Sequence, residues 1–155
     1  MSPGFSFFTA AALVAAGLTG SGRPVEVRIC SSFEEAAPAG SGPVLLVFFS
    51  IECAVCYEEL FEARHFVDRG GWPVEVVGVS LALRDELEAF LEKHAWTRPV
   101  VLDRRKVLFR RFQVHAVPFK VLTLGTEAVY RDDPYLAPAA RREELAACLT
   151  RLFSR

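Results

Sequence analysis

Val44–Phe49 is a run of six apolar residues, closed off in front by Gly40-Ser41-Gly42-Pro43 and followed four residues on by Cys53-Ala54-Val55-Cys56. A short apolar run framed by turn residues, without polar alternation, suits a central strand buried on both faces. Such a strand needs helices on both sides, which narrows the chain to the α/β class. The rest of the sequence reads in keeping with that. Val25–Ile29 alternates at period two and predicts a short strand, and Ser31–Ala37 a helical turn stopped by Pro38. Cys53–Val67 places Cys56, Leu60, Phe61 and Val67 near helical spacing, with Asp68-Arg69-Gly70-Gly71 ending the helix. Val74–Ser80 and Val100–Leu102 predict strands, and Arg84–His94 a helix carrying Leu87, Phe90 and Leu91 on one face. Asp103 is placed to cap a helix over Lys106–Phe112. Phe119–Leu124 and Ala128–Arg131 flank Gly125-Thr126 as a hairpin, and Ala139–Phe153 predicts a last helix with Leu145, Cys148, Leu149 and Leu152 turned inward. The fold class expected is α/β, a mixed sheet flanked by helices.

At 155 residues the chain suits one domain, and 52% hydrophobic residues suffice for a core. The net charge of −1 gives no field for nucleic acid, so no nucleic-acid partner is expected. The short basic run Arg104, Arg105, Lys106, Arg110, Arg111 reads as a solvated helix face. Phe5–Leu18 carries no charge and is shorter than the roughly 20 residues that span a bilayer. It has the length of a signal-peptide hydrophobic region, though no Lys or Arg precedes it. Residues 1–22 are therefore expected to be a signal peptide or short anchor, and residues 23–155 the folded domain. That places the protein outside the cytoplasm, in the periplasm or on the outer face of the cell membrane. The alternative is a cytoplasmic protein with a buried N-terminal helix.

Four cysteines are too few to staple a chain of this length, and a single close pair is half of what a structural zinc site needs. The context of the pair is more informative: it follows an apolar strand and opens a helix. A thiol there sees the positive end of the helix dipole and unpaired amides, both of which favour the thiolate. Cys53 is expected to be the exposed nucleophile and Cys56, one turn on, the resolving thiol. The expected cofactor is none beyond the redox-active Cys53–Cys56 disulfide, with no metal. Val117-Pro118-Phe119 opens a strand, where proline belongs at a first residue, and the setting suits a cis X-Pro bond.

LLVFFSIECAVCYEEL, followed by Val117-Pro118 and a hairpin, resembles the thioredoxin superfamily over roughly residues 25–155. It is closest to the TlpA-like branch of exported, often membrane-anchored thiol–disulfide oxidoreductases. The resemblance implies a thioredoxin fold and a cis-proline loop against the CxxC, with the Val117 backbone and Pro118 docking substrate. Val74–Leu91 would be that branch's extra strand–helix unit, and Glu59 the acid of its CxxCxxE motif, a proton acceptor for Cys56. It implies protein thiols and disulfides as substrates, including apocytochrome c thiols in cytochrome c maturation. A membrane or soluble thiol donor would recharge a monomeric protein. Several residues depart from the family: Glu52 stands for its usual Trp, Ala54-Val55 for a pair containing Pro, and Phe119 for Thr. Val47 stands where minimal thioredoxins bury an acid. FFSIECAVC is also similar to relatives that assist methylamine dehydrogenase maturation, which lack the Trp.

Glu52 adjoins the nucleophile and lines the expected substrate site. Its charge disfavours the thiolate, which predicts a reducing rather than an oxidising couple. Cys30 and Cys148 read as small buried hydrophobes, with a disulfide between them left open. His65 and His94 read as surface or helix-end residues, and His115 as the histidine nearest the site. His115 supports the principal alternative function, a copper metallochaperone using Cys53, Cys56 and His115. A peroxidase is a further alternative, with Ser50 suitably spaced from Cys53 but Leu46 where its motif has Pro. A thioredoxin-like module that only binds partners is the third.

Overall fold

The computed structural model describes residues 26–154; the expectation for residues 1–22 lies outside them. In chain order the elements are β1 (Ile29–Cys30), α1 (Phe33–Ala36), β2 (Pro43–Phe48), α2 (Ala54–Gly70), β3 (Glu75–Ser80) and α3 (Arg84–Lys93), followed by β4 (Val100–Leu102), α4 (Val107–Arg111), β5 (Phe119–Leu124), β6 (Glu127–Arg131) and α5 (Pro138–Phe153). The six strands form one sheet in the order β1-β4-β3-β2-β5-β6. β1, β4, β3 and β2 run parallel, while β5 is antiparallel to β2 and β6 to β5. This mixed sheet flanked by helices is the thioredoxin arrangement expected from the sequence.

The apolar run is the axis of the core. Leu45, Val47 and Phe49 join a cluster with residues of α2, α3 and α5, while Val44, Leu46 and Phe48 join one with residues of α1 and α4. Period-two alternation sends successive side chains to opposite faces, so a continuous apolar sequence serves two cores at once. Gly78 lies beside Val47 in the sheet, and a Cβ there would stand 3.0 Å from the Phe49 ring. The residue is small because that ring occupies its space.

Local chemistry sets the element ends. Gly71 closes α2 in the left-handed region at φ 64°, with its amide bonded back to Asp68. The Asp103 carboxylate accepts from the amides of Val107 (2.7 Å), Leu108 (2.9 Å) and Phe109 (3.1 Å), the cap anticipated for this helix. The first strand is shorter than predicted: only Ile29 and Cys30 pair, with Val100 and Val101, and residues 26–28 are irregular. β4 has only three residues, so the sheet edge has little ladder to extend. Among the described residues no helix is long and apolar enough to cross a membrane.

Candidate active site

β2 ends at Phe48, and residues 49–53 turn the chain into α2. Cys53 is the N-cap of that helix, with extended backbone at φ −116° and ψ 107° and no side-chain capping bond. Its carbonyl accepts from the amides of Cys56 (3.0 Å) and Tyr57 (3.2 Å). Its sulfur is bonded to that of Cys56, with the two Cα atoms 5.2 Å apart. Cys53 is half-buried, whereas Cys56 is 2% exposed. The pair is thus asymmetric: Cys53 is the more open residue of the two. No acidic residue lies in the first turn of α2, so nothing within the helix opposes the dipole at Cys53.

The second wall comes from β5. Phe48 pairs with Phe119, so the peptide entering β5, Val117–Pro118, lies alongside residues 49 and 50. That peptide is cis. Between the two stretches and the loop after β3 lies a cleft of about 240 Å³, lined by Ile51, Glu52, Leu81, Ala82, Phe109 and Val117 among others. No hydrogen bond engages the Val117 backbone among the described residues. Glu52 is exposed at the rim and makes no ion pair there.

Behind the cysteines Glu59, expected from the motif, joins a group of charges whose other members the sequence reading did not point to. Glu59, one turn beyond Cys56, is only 8% exposed and pairs with Lys120, which is 1% exposed. The Lys120 Nζ also lies 3.1 Å from Asp132 Oδ2, and Arg141 Nη1 lies 3.5 Å from the same oxygen. Asp132 accepts the Lys120 amide at 2.9 Å and the Tyr130 hydroxyl at 2.7 Å. Burial first, then the bond to Asp132, push the Tyr130 hydroxyl well above its ordinary range. Lys120 stands directly across the β2–β5 ladder from Val47. The signal was present in FKVLTL: a lysine second in a strand covered on both faces must find a carboxylate.

The other candidates fall elsewhere. His115 is exposed and lines a neighbouring cavity with Lys106 and Arg110 rather than with the cysteines. Among the described residues no three His, Cys, Asp or Glu side chains are grouped as metal ligands. Cys30 and Cys148 are free, and they belong to the clusters on opposite faces of the sheet, so the disulfide left open between them does not form. Burial is the main cause that raises the Cys30 thiol's pKa. His65 is exposed, and His94 caps α3 among the rings of Tyr57, Phe61 and Phe90. Leu46, where a peroxidase motif has Pro, is a fully buried central-strand residue paired on both sides.

Residues 31–132 match the AhpC/TSA family model. No curated relative matches by sequence. Among solved structures the chain is similar to StoA from Bacillus subtilis, at 22% identity and a TM-score of 0.56 over 72% of this chain and 84% of that one. It is similar to a secreted Mycobacterium tuberculosis disulfide oxidoreductase homologous to E. coli DsbE, at 19% identity and a TM-score of 0.52 over 72% and 82%. It is also similar to thioredoxin from Wuchereria bancrofti, at 16% identity and a TM-score of 0.53 over 74% and 85%. At these identities the likeness is one of fold, and the fold is that of thioredoxin.

Proposed function

Because the chain belongs to the AhpC/TSA family and carries a Cys53–Cys56 disulfide at the start of a long helix, we propose that it is a thiol–disulfide oxidoreductase acting on protein thiols and disulfides. The observation that carries this reading is the unequal exposure of the pair at the N-cap of α2. In the reducing direction the Cys53 thiolate attacks a substrate disulfide and expels one substrate thiolate. The mixed disulfide then holds the second substrate sulfur on Cys53. Cys56 gives its proton to Glu59, and its thiolate attacks the Cys53 sulfur. Two electrons pass to the substrate, whose second thiolate leaves as the Cys53–Cys56 disulfide closes. A donor dithiol, membrane-bound or soluble, reverses these steps to recharge the pair.

The unengaged Val117 backbone at the cleft supports docking of a substrate segment in extended form, with Pro118 shaping the loop and Glu52 at the rim. Glu52 also supports a reducing poise, because a negative charge next to the nucleophile stabilises the thiol over the thiolate. The secreted character of the Mycobacterium tuberculosis relative supports a location outside the cytoplasm; exported proteins such as apocytochrome c are then the substrates, and the protein acts as a monomer. The deciding experiment is a Cys56→Ala trap in cells. The reading holds if a protein partner is retained on Cys53 through a reducible bond and is lost again in Cys53→Ala/Cys56→Ala. It fails if the purified wild type cannot reduce a protein disulfide.

A further inference from the structure

The cleft beside the cysteines does not end at Phe109. Leu81 and Phe109, which line it, also line a second cavity of about 350 Å³, so the two adjoin across a shared apolar ridge. The loop entering β5 runs from one to the other: His115 lines the second cavity and Val117 the first. Their charges are opposite. The first is lined by Glu52 and Glu86 and by no Lys or Arg, the second by Lys106 and Arg110 and by no acid. All four of these side chains are exposed, and none makes an ion pair among the described residues. Lys106 and Gln113, which flank α4, both stand in the left-handed region, at φ 55° and 51°, and both line the second cavity. Glycine takes that conformation without steric cost, so these longer side chains are kept against a backbone penalty.

We propose that the two cavities form one bipolar substrate groove: it takes an extended protein segment with a basic residue beside the reactive cysteine, against Glu52 and Glu86, and an acidic residue further along, against Lys106 and Arg110. This deepens the proposed oxidoreductase function and rests on it. The unengaged Val117 backbone offers main-chain pairing to such a segment, and the side-chain pockets on either side of the ridge supply the selection. His115 and Val117 are two residues apart, about 7 Å in extended chain, so the acidic residue belongs about two to four residues from the cysteine. None of the four charged side chains pairs with another, which leaves both signs for the substrate. Exposed charges placed in this way act on encounter and choice of partner more than on tight binding.

The test uses the reduced full chain and two short peptides of identical composition, each carrying its cysteine as a mixed disulfide with thionitrobenzoate. In the first, lysines flank the cysteine and glutamates stand about three residues out on both sides; in the second, lysines and glutamates are exchanged. Cys53 attacks the peptide sulfur and expels the coloured thiolate. Cys56 then attacks the Cys53 sulfur and releases the peptide thiolate as the internal disulfide closes, so two electrons pass to the mixed disulfide. Each rate is divided by that of the same peptide with mercaptoethanol, which removes the difference in intrinsic reactivity. The first peptide is expected to react about tenfold faster, the size of a few exposed charge pairs, and the preference should fall by about half or more in molar salt. Glu86→Gln and Lys106→Gln/Arg110→Gln should each lower the preference by about threefold, and Glu86→Asp should keep it. The preference is a ratio within one protein, so a merely structural defect slows both peptides and leaves it alone. If the double variant does not fold, Glu86→Gln carries the test. Equal normalised rates for the two peptides, a preference for the second, or a preference that either charge-removing variant leaves intact would each overturn the proposal. A reduced wild type that attacks neither peptide would instead overturn the oxidoreductase reading, and the groove with it.

Discussion

Residue by residue, the site is read most directly in Glu52, Tyr130 and the cysteines. Glu52→Gln removes a negative charge beside the nucleophile, so the thiolate and hence the reduced form gain stability. The potential should rise on the order of 10 mV, the size of an exposed, screened charge, as measured by equilibration against glutathione. A wild-type potential near the roughly −120 mV of strong dithiol oxidants would contradict the reducing poise. Tyr130 gives a pH prediction with a definite sign. Its hydroxyl stays protonated in the folded state past its ordinary value of 10.0 because it is buried and bonded to Asp132. Above that value the unfolded chain has lost the proton and the folded chain has not, so stability falls as pH rises. Urea midpoints of the wild type should decline above about pH 10, and Tyr130→Phe should flatten that decline while lowering stability at neutral pH by ~1 kcal/mol. The Cys30 thiol, raised from 9.0, bends the curve the same way.

At the scale of elements, α4 owes its first turn to one carboxylate. Asp103 accepts three successive amides, and α4 carries Phe109, which meets Phe48 edge-on at 4.9 Å and forms part of the cleft wall. Asp103→Ala should cost about 1–2 kcal/mol in chemical denaturation. It should also raise the concentration of protein substrate needed for half-maximal rate, because a frayed α4 loosens the wall. The β2–β3 pair is sensitive in another way. Gly78→Ala places a methyl against the Phe49 ring and Val100, and should destabilise by about 1–3 kcal/mol without touching the cysteines. An unchanged denaturation midpoint would mean that the ring can give way. The elements were legible because their ends carry specific chemistry: Asp103 three to four residues before the helix it caps, Gly71 at a left-handed close, Gly125-Thr126 between two apolar strands. β1 was overread because alternation in Val25–Ile29 says nothing about the length of the partner strand.

In the whole molecule, the sheet separates Cys30 from Cys148, and this can be counted. The oxidised protein should show no thiol accessible to alkylation while native and two after denaturation, and mass analysis should find only the Cys53–Cys56 bond. Much of this protein was settled along the chain itself. An apolar run bounded by turns and followed by CxxC at a helix start points to a two-sided sheet and a cysteine at a helix end, because period and capping are local properties. The charges behind the site were decided only when the chain closed on itself. Val47, Glu59, Lys120 and Asp132 lie on three different elements and the loop after a fourth, and the sequence marks Val47 and Glu59 without saying that Lys120 and Asp132 meet them. Only the β2–β5 register and the placement of α2 over it bring the lysine under the helix turn that carries Cys56. Which charges share a dry interior is a property of packing, and no stretch of sequence contains it.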